Sequence, residues 1–534
     1  MDEQARDINE VFETEQVYSV RLLDTAVVSS FLRSDPGLLS DPGPLIEFYE
    51  RREWQPAWFV QDSLSTAALN MLNLMGRSMG PDTPNTGNDT LLGFVERILD
   101  QRDTVPMSNE QMDRLELLLT TQFFRYAEKE YSGQVQRELH ELDWFIPRRK
   151  KDLSQLIDSL AAGTMDLSPI EPLNEHYKRL KGQLTRYYAL RWLDSLPPLE
   201  LGQRKKLVPG ERDTLVPLIR ERLQALGDMP FDPFHAPDEL DSVLVTGLQR
   251  FQERHGLTPD GIIGKGVLEQ LNTPISERIR TILLNMERLR WMPVEQAPEL
   301  ILVNIPEFRS HVFSGDSLSW SMDVVVGSQA TSTVIFSDSV SQIVFSPSWS
   351  VPASIVRNEL LPAMRKDPDY LAKKGMDIVG GSEALPRVRQ RPGPNNALGR
   401  VKFLFPNSYS IYLHDTPSKG TFAREDRAAS HGCIRLSRPE LLAQHLLRGD
   451  TAWSAEAIKQ AMDSRKETIV DLDRKVPVLI GYFTAWVDEQ GRLNFRKDVY
   501  GHDQRLAKEL FGAPERTIEL VRSDAQSPTR STMR

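Results

Sequence analysis

The sequence predicts a multidomain α+β protein with a helical N-terminal part, a small helical module and a β-rich C-terminal part. The chain has 534 residues. Single hydrophobic cores stop growing at roughly 250–300 residues, so we expect more than one domain. Apolar residues recur at helical spacing before residue 206, and alternating or β-branched patterns follow Pro293. These observations place the helices before the strands along the chain.

The composition is that of an ordinary globular protein. Hydrophobic residues make up 40% and charged residues 26% of the sequence, and the formal net charge is −10. A negative net charge argues against broad electrostatic binding to nucleic acid or to an anionic membrane surface. No apolar run approaches the roughly 18 residues of a membrane span. We therefore expect no nucleic-acid partner and no membrane-spanning segment in this sequence.

The first 205 residues predict a loosely held lead-in over residues 1–40 and a helical domain over residues 41–205. The aromatic-rich run Leu45–Phe59 predicts a helix that stops at a proline. Residues 153–160 place four leucine or isoleucine side chains at positions i, i+3, i+4 and i+7, and Gly163 follows as a stop. Residues 41–205 are therefore predicted to form a helical domain, with exposed loops such as Gly80–Gly87 between its helices.

Residues 206–274 predict a compact module of short helices around a turn-rich loop, Gly256–Gly261. An amphipathic helix over Ser276–Trp291 then connects the module to the remainder of the chain, within residues 275–298. His255 lies in the module. We expect it to be packed or exposed and not a metal ligand, because no second metal-binding residue lies beside it at helical spacing.

Residues 299–505 predict a β-rich domain. Its first strands are expected at Leu300–Ile305, Ser310–Phe313, Ser321–Val326 and Ser341–Phe345. The later part is expected to contain a helix at Ile355–Lys374, a long loop at Asp377–Asn396, a helix at Pro439–Leu447 and a strand at Val476–Val487. Residues 506–534 are expected to form a partly disordered tail.

The only cysteine of the chain, Cys433, lies in the run Ser430–Arg435. It is a buried hydrophobe, a metal ligand or a nucleophile. Polar neighbours do not suit burial, and the glycine before the cysteine allows consecutive backbone N–H groups to receive an oxyanion. His414 ends a strand-like run upstream. Cys433 and His414 are therefore a candidate thiol–base pair.

His414 followed by Ser430–Arg435 resembles the signature of the L,D-transpeptidases, the cysteine enzymes that crosslink bacterial peptidoglycan. Three further segments are similar to that family: Val326–Gly327, Phe345–Pro352 and Arg391–Gly399. Together with the upstream segments they resemble the large YcbB type, with its YkuD-type catalytic domain, over about Leu45–Asp503.

The resemblance implies an identity for each predicted domain. Residues 41–205 would be a scaffold domain. Residues 206–274, on the strength of Gln249–Leu257, resemble the peptidoglycan-binding domain 1 module of three short helices beginning near Leu215. Residues 299–505 would be the L,D-transpeptidase catalytic domain. A capping loop at about 355–400 would act as a lid over the site.

The resemblance also implies the reaction. The donor would be a peptidoglycan stem tetrapeptide whose terminal D-Ala leaves as the Cys433 thiol forms a thioester with the diaminopimelate carbonyl. The amine of a second stem would then resolve the thioester and form a 3-3 crosslink. His414 would be the general base and acid, in preference to His431, and as an imidazolium it would lower the pKa of the thiol.

Further site residues follow from the same signature. The backbone N–H groups of His431, Gly432 and Cys433 are the candidate oxyanion hole. The expected substrate-binding residues are Arg435, Tyr412 and Trp349. A structural role is equally open for Arg435, and packing in the core or the cleft wall is favoured for Trp349.

Two other classes of function stay open. His414, Asp415, His431 and Cys433 could ligate zinc in a murein peptidase, although the sequence contains no His-Glu-x-x-His and we expect no metal and no cofactor. A second alternative is a peptidoglycan-binding scaffold whose catalytic domain has lost activity. Acylation by a carbapenem would exclude it, because the family is acylated by these inhibitors.

The sequence leaves the acceptor open among a stem peptide, a D-amino acid, a lipoprotein and water, so a murein hydrolase or a lipoprotein-attaching enzyme of the same fold stays possible. The family's substrate lies outside the inner membrane, which implies the periplasm. The residues at the start, Met1–Asp7, lack a secretory signal. We therefore expect a signal or anchor segment to be missing from this sequence.

Overall fold

The computed structural model describes residues 21–34, 42–60, 63–66, 68, 108–135, 137–148, 174–231, 238–292, 297–315 and 317–512. The chain divides into two compact units. The first comprises residues 1–128, 152–167 and 507–534, and the second comprises residues 129–151 and 168–506. The predicted helix at residues 153–160 and the predicted disorder of the tail beyond residue 512 lie outside the described residues.

The first unit contains the helices Thr25–Ser34 and Gly43–Arg51 and most of Asn109–Ser132. Its core includes a carboxylate, because the fully buried Glu116 accepts hydrogen bonds from the N–H groups of Ala57 and Trp58 at 2.6 and 3.0 Å. Burial raises the pKa of Glu116, and these donors oppose that rise.

The helix predicted over Leu45–Phe59 is wrong in its second half. It ends at Arg51, because Glu53 and Trp54 adopt left-handed backbone angles, with φ of 52° and 64°. The chain turns there and forms a two-stranded ribbon, β1 (Phe59–Val60) and β2 (Ser63–Leu64).

The second unit begins with helical segments. They are the 3₁₀ turns Leu139–Leu142 and Arg191–Ser195 and the helices Glu175–Ala189, Val216–Leu226, Ser242–Arg254, Lys265–Leu271 and Ile275–Arg290. The three helices predicted for the module are confirmed, with the first beginning beside Leu215. His255 is buried between the rings of Phe251 and Phe495, and its Nδ1 lies 2.7 Å from the Phe251 carbonyl. It is therefore a packed residue, as predicted.

The connecting helix Ile275–Arg290 starts at a proline and is capped from outside. The Asp194 carboxylate accepts hydrogen bonds from the N–H groups of Ile275 and Ser276 at 2.5 and 3.1 Å. A negative charge at this end suits the helix dipole. No helix in the described part of the chain is long and apolar enough to cross a membrane.

The β-rich domain is built on one large mixed sheet. Its strands are β3 (Glu299–Asn304), β4 (Arg309–Ser314), β5 (Ser317–Gly327), β6 (Phe336–Phe345), β10 (Val401–Leu404), β11 (Leu413–His414), β12 (Ala428–Ser430), β13 (Ile434–Leu436) and β14 (Thr468–Gly481). Their order is β12-β5-β13-β11-β10-β6-β14-β3-β4, and β4 also pairs with β5. The sheet therefore closes on itself, and the four strands predicted first are confirmed.

The inner face of this sheet carries the core. Alternate residues along each strand point to the same face, and the buried set includes Ile301, Val303, Val324, Val326, Ile343, Phe345, Val401, Phe403, Leu413, Ile434 and Leu436. On β10, β11 and β13 the residues that alternate with this buried set are Lys402, His414 and Arg435. These three consequently share the opposite face.

A second, smaller sheet joins β7 (Trp349–Ser350), β9 (Pro386–Gln390) and β8 (Met376–Gly381). With the helical segments Ala353–Ile355, Val356–Leu360, Leu361–Lys366 and Tyr370–Lys373 it forms what we call the cap, residues 349–390. The loop predicted over Asp377–Asn396 is wrong for its first half, which is an antiparallel hairpin. The helix predicted over Ile355–Lys374 is interrupted before Tyr370, where Asp367 has extended backbone angles.

The cap has a small apolar core of its own, formed by Val351, Ile355, Val356, Leu360, Leu371, Met376 and Val388. The remaining elements are the helices Pro439–Leu447, Ala455–Asp463 and His502–Phe511 and the hairpin β15 (Ala485–Val487) with β16 (Leu493–Phe495). The predicted helix at Pro439–Leu447 is confirmed.

Candidate active site

Cys433 lies at the end of a tight loop between β12 and β13. Gly432 has φ of +111°, a conformation that side-chain-bearing residues rarely adopt. The loop is held from both sides: Thr333 Oγ1 donates to the Gly432 carbonyl at 2.8 Å, and Ser430 Oγ donates to the Cys433 carbonyl at 2.6 Å. These two hydrogen bonds therefore fix the backbone around the thiol.

The thiol of Cys433 is partly buried and faces the residues that precede β11. Its Sγ donates to the Ser410 carbonyl at 3.6 Å, and the backbone N–H and the hydroxyl of Tyr412 lie close enough to lower the pKa of the thiol. Burial raises the pKa of the thiol. The two donors of Tyr412 and the positive charge of Arg435 oppose that rise, because they stabilise the thiolate.

Tyr412 links the thiol to the cap. The Trp349 side chain, on β7, lowers the pKa of the Tyr412 hydroxyl, and Cys433 raises it, so both side chains are neighbours of that hydroxyl. Burial is the main cause that raises the pKa of Tyr412, so the hydroxyl keeps its proton. The two residues predicted to line the cleft, Tyr412 and Trp349, thus lie next to each other, and Tyr412 lies next to the thiol.

His414 is buried, with 4% of its surface exposed. Its Nδ1 lies 2.5 Å from the Asp415 carbonyl, and the Leu398 backbone is a neighbour that also raises its pKa. Because a carbonyl can only accept, Nδ1 carries a proton. Burial lowers the pKa of His414 to about 4 despite these acceptors, so the ring is neutral at neutral pH.

The pairing of β11 with β13 determines where His414 lies relative to the loop that carries Cys433. His414 is opposite Arg435, and Leu413 is opposite Ile434. Among the described residues, the hydrogen-bond partner of the Cys433 thiol is the Ser410 carbonyl, and no hydrogen bond joins the thiol to His414. The pKa shifts of both groups favour neutral forms, which differs from the ion pair expected from the sequence.

Comparison with known families identifies this region. Residues 298–456 match the family model described as "L,D-transpeptidase catalytic domain". They form an L,D-transpeptidase catalytic domain. Residues 43–184 match the model described as "Scaffold domain", and residues 212–271 match "Putative peptidoglycan binding domain".

Individual proteins are similar over parts of the chain. A protein of Haemophilus influenzae named "Putative L,D-transpeptidase" is 33% identical over 239 residues, which cover 42% of this chain and 48% of that protein. The chain thus spans about half the length of this relative. Among solved structures, an L,D-transpeptidase from Stackebrandtia nassauensis is 14% identical, with a TM-score of 0.21, covering 54% of this chain and 98% of that one. One from Mycobacterium smegmatis is also 14% identical, with a TM-score of 0.20, covering 35% and 59%.

Within the transpeptidase domain, Asp415 is a buried carboxylate whose importance was missed from the sequence. One carboxylate oxygen accepts the Arg400 N–H at 2.9 Å, and the other accepts Lys419 Nζ at 2.6 Å. Gly399 has φ of +62°, and a Cβ there would lie 2.4 Å from Asp415 Cγ. Only glycine therefore leaves room for the residue whose carbonyl contacts His414.

Asn396 holds the Leu398 backbone, next to the His414 ring, in a similar way. Its Oδ1 accepts the Leu398 N–H at 2.8 Å, and its Nδ2 donates to the Pro347 carbonyl at 3.1 Å. Only 1% of the residue is exposed. The Asp415 carbonyl therefore contacts the His414 ring directly, and Asn396 fixes the Leu398 backbone next to it. The run Arg391–Gly399 signalled this region in the sequence, but not the role of either side chain.

The candidate oxyanion donors are not equivalent. The Gly432 N–H already donates to Ser430 Oγ at 3.2 Å. The N–H groups of His431 and Cys433 have no hydrogen-bond partner in the part of the chain that the structure describes. Two of the three predicted donors are therefore available, together with the Tyr412 hydroxyl beside the thiol.

The two histidines of the signature have different surroundings. The His431 side chain is 54% exposed and its Nε2 lies 2.9 Å from Oε1 of Glu359, a cap residue that is equally exposed. His414 is buried and contacts backbone carbonyls. Among the described residues, no group of three or more His, Cys, Asp and Glu side chains is arranged to hold a metal ion.

Proposed function

We propose that the protein is a cysteine L,D-transpeptidase that forms 3-3 crosslinks in peptidoglycan, with Cys433 as the nucleophile and His414 as the general base and acid. The observation that carries this proposal is the Cys433 thiol, which lies beside Tyr412 on a loop that hydrogen bonds hold in place, within the residues that match the transpeptidase family model. Donors aimed at sulfur stabilise the thiolate that attacks a carbonyl.

In the first half of the reaction the sulfur attacks the diaminopimelate carbonyl and its proton passes to His414. Because burial favours the neutral thiol and the neutral imidazole, proton transfer accompanies the attack and does not precede it. The protonated ring then gives its proton to the D-Ala nitrogen as the amide bond breaks. A thioester and free D-Ala are the products.

In the second half the amine of another stem attacks the thioester, loses its proton to His414, and releases the Cys433 thiol. During both halves a carbonyl oxygen gains negative charge. The N–H groups of His431 and Cys433 and the Tyr412 hydroxyl are the donors that we assign to this oxygen, and each is worth about 3–4 kcal/mol in comparable sites. In this proposal Gly432 supplies the left-handed turn.

The other domains fit the same substrate. We assign residues 41–205 to the scaffold, 206–274 to peptidoglycan binding, 275–298 to the connecting helix and 299–505 to catalysis, with the cap as a lid. Arg435 faces the thiol and is available for a stem-peptide carboxylate. A cell-wall substrate implies action outside the cytoplasm, and we propose the periplasm. Carbapenems, as mimics of the donor, are expected to acylate Cys433.

Intact-protein mass spectrometry tests the proposal. Wild type, Cys433→Ala and His431→Gln are incubated with a disaccharide-tetrapeptide and, separately, with a carbapenem. Wild type and His431→Gln should gain the acyl mass and release D-Ala, whereas Cys433→Ala should stay unmodified. Crosslinked dimer in the supernatant identifies a stem acceptor, and a tripeptide product alone identifies water. Acylation of Cys433→Ala, or turnover that is lost on chelation, would refute the cysteine mechanism.

A further inference from the structure

Lys402 lies beside His414 on the outer face of the transpeptidase sheet. The β10–β11 register places Lys402 directly opposite His414, and the β11–β13 register places His414 directly opposite Arg435. Directly paired residues point to the same face of a sheet. The three side chains therefore form a row across three strands, with a cation on each side of the candidate base.

The ammonium of Lys402 is half-buried and lacks a partner. Its Nζ makes no hydrogen bond or ion pair with any residue that the structure describes, and burial lowers its pKa. Arg435 likewise makes no hydrogen bond or ion pair with any residue in the described part of the chain, and burial lowers its pKa. Partly buried cations are costly unless an anion accompanies them.

The nearest acid to Lys402 is already engaged. Oε2 of Glu467 accepts the N–H and the hydroxyl of Ser348 at 2.6 and 2.7 Å, and its Oε1 lies 3.6 Å from Arg389. The charges of Lys402, Arg389 and Glu467 add up to +1. Arg435, at the other end of the row, contributes a second positive charge. The outer face around His414 therefore attracts an anion.

The size of the row suits a peptide. Neighbouring strands lie about 4.8 Å apart, so the backbones of Lys402 and Arg435 are separated by roughly 10 Å across β11. A peptide lying across the row can present one carboxylate to each cation, with its scissile carbonyl between them near Cys433.

We propose that Lys402 binds a carboxylate of the donor stem peptide and thereby determines specificity, on the opposite side of His414 from Arg435. This inference rests on the proposed function, since the donor is the peptide named there. The carboxylate is either that of the terminal D-Ala or that of the diaminopimelate side chain. Both are peptide carboxylates, and a bound carboxylate would accept a charge-assisted hydrogen bond from Nζ.

Binding measured without turnover tests the proposal. Calorimetry measures the dissociation constants of three proteins in the Cys433→Ala background: the parent with Lys402, Lys402→Met and Lys402→Arg. Each protein is titrated with the disaccharide-tetrapeptide, with its C-terminal amide and with its diaminopimelate side-chain amide. We expect Lys402→Met to weaken tetrapeptide binding at least about tenfold and Lys402→Arg to retain most of it. One of the two amides should bind equally to both the Lys402 and the Lys402→Met proteins, and that amide identifies the carboxylate.

The matched control is Lys459→Met, which removes an exposed lysine from the helix Ala455–Asp463, and thermal melts verify that each variant is folded. Equal affinity of Lys402→Met and its parent for the tetrapeptide would overturn the inference, as would an equal loss for all three ligands. Acylation of intact Cys433 is measured separately, so the proposed function can stand when the role of Lys402 fails.

Discussion

The two sides of the candidate cleft hold their residues to different degrees. On the sheet side, His414 and Asp415 are 4% and 2% exposed, and backbone and side-chain hydrogen bonds fix both. On the cap side, Glu359 meets His431 where both side chains are 54% exposed. Water competes for exposed ion pairs, which contribute about 0–1 kcal/mol. In the proposed mechanism the sheet therefore provides the buried base, and we propose that the cap adjusts access and orientation.

Replacing the buried histidine should have the largest effect. His414→Gln removes the proposed general base, and acylation by the tetrapeptide should slow by about 10²–10⁴-fold. His431→Gln, the matched change on the cap side of the cleft, should slow it by less than threefold. Rates of D-Ala release measure both. Equal losses in the two variants would break the distinction between buried and exposed histidines.

The same buried ring predicts how stability depends on pH. The pKa of His414 is about 4 in the folded protein and 6.5 in its ordinary state. Between these values the unfolded chain binds the extra proton, so stability is full above pH 6.5 and falls as the pH drops towards 4, by roughly 3 kcal/mol in total. His414→Gln should lose this portion of the slope.

Chemical unfolding of wild type and His414→Gln at pH 7 and pH 4.5 measures the difference. The comparison must be made between the two proteins, because His502 is also buried with a pKa lowered to about 4 and contributes its own slope to both. Identical slopes in the two proteins would mean that His414 is protonated in the folded state.

A glycine on the sheet side provides a third test. In Gly399→Ala the new Cβ would meet Asp415 Cγ at 2.4 Å in a left-handed backbone conformation. We expect a loss of about 1–3 kcal/mol in unfolding free energy and a lower acylation rate, because Asp415 holds His414. Gly420→Ala is the control, since nothing lies within 4 Å of its Cβ position. If the two alanine variants have the same unfolding free energy and the same acylation rate, Asp415 does not position His414.

The sequence predicted the sheet side better than the cap. The alternation of residues along β3–β6 is a local pattern, and it predicted the positions of these strands. The signature around Cys433 is also local, and it predicted that Tyr412 lies near the thiol. The cap hairpin was mistaken for a loop because β8 and β9 contain glycine, proline and arginine, which are poor strand formers. Tertiary packing against the cap core offsets those preferences.

Sequence patterns could not predict other features of the site, because these depend on strand pairing and burial. The contact of Asn396 with Leu398 is local, but its consequence for His414 depends on how β10 and β11 pair. The row of Lys402, His414 and Arg435 likewise depends on strand register, because each residue looks unremarkable in its own strand. Burial, which sets the pKa directions of Cys433 and His414, also requires the folded chain.

The smallest expected effect concerns Trp349, the cap residue next to the Tyr412 hydroxyl. Trp349→Phe keeps an aromatic ring and removes the indole N–H, which lowers the pKa of that hydroxyl. A polar contact of this kind contributes about 0.5–1.5 kcal/mol, so acylation should slow by about two- to tenfold. If Trp349 acts through Tyr412, the same change made in Tyr412→Phe should cause no further loss, because the acceptor is already absent. Additive losses in the double variant would instead show that Trp349 contacts the substrate itself, and the cap would then belong with the sheet as part of the binding surface.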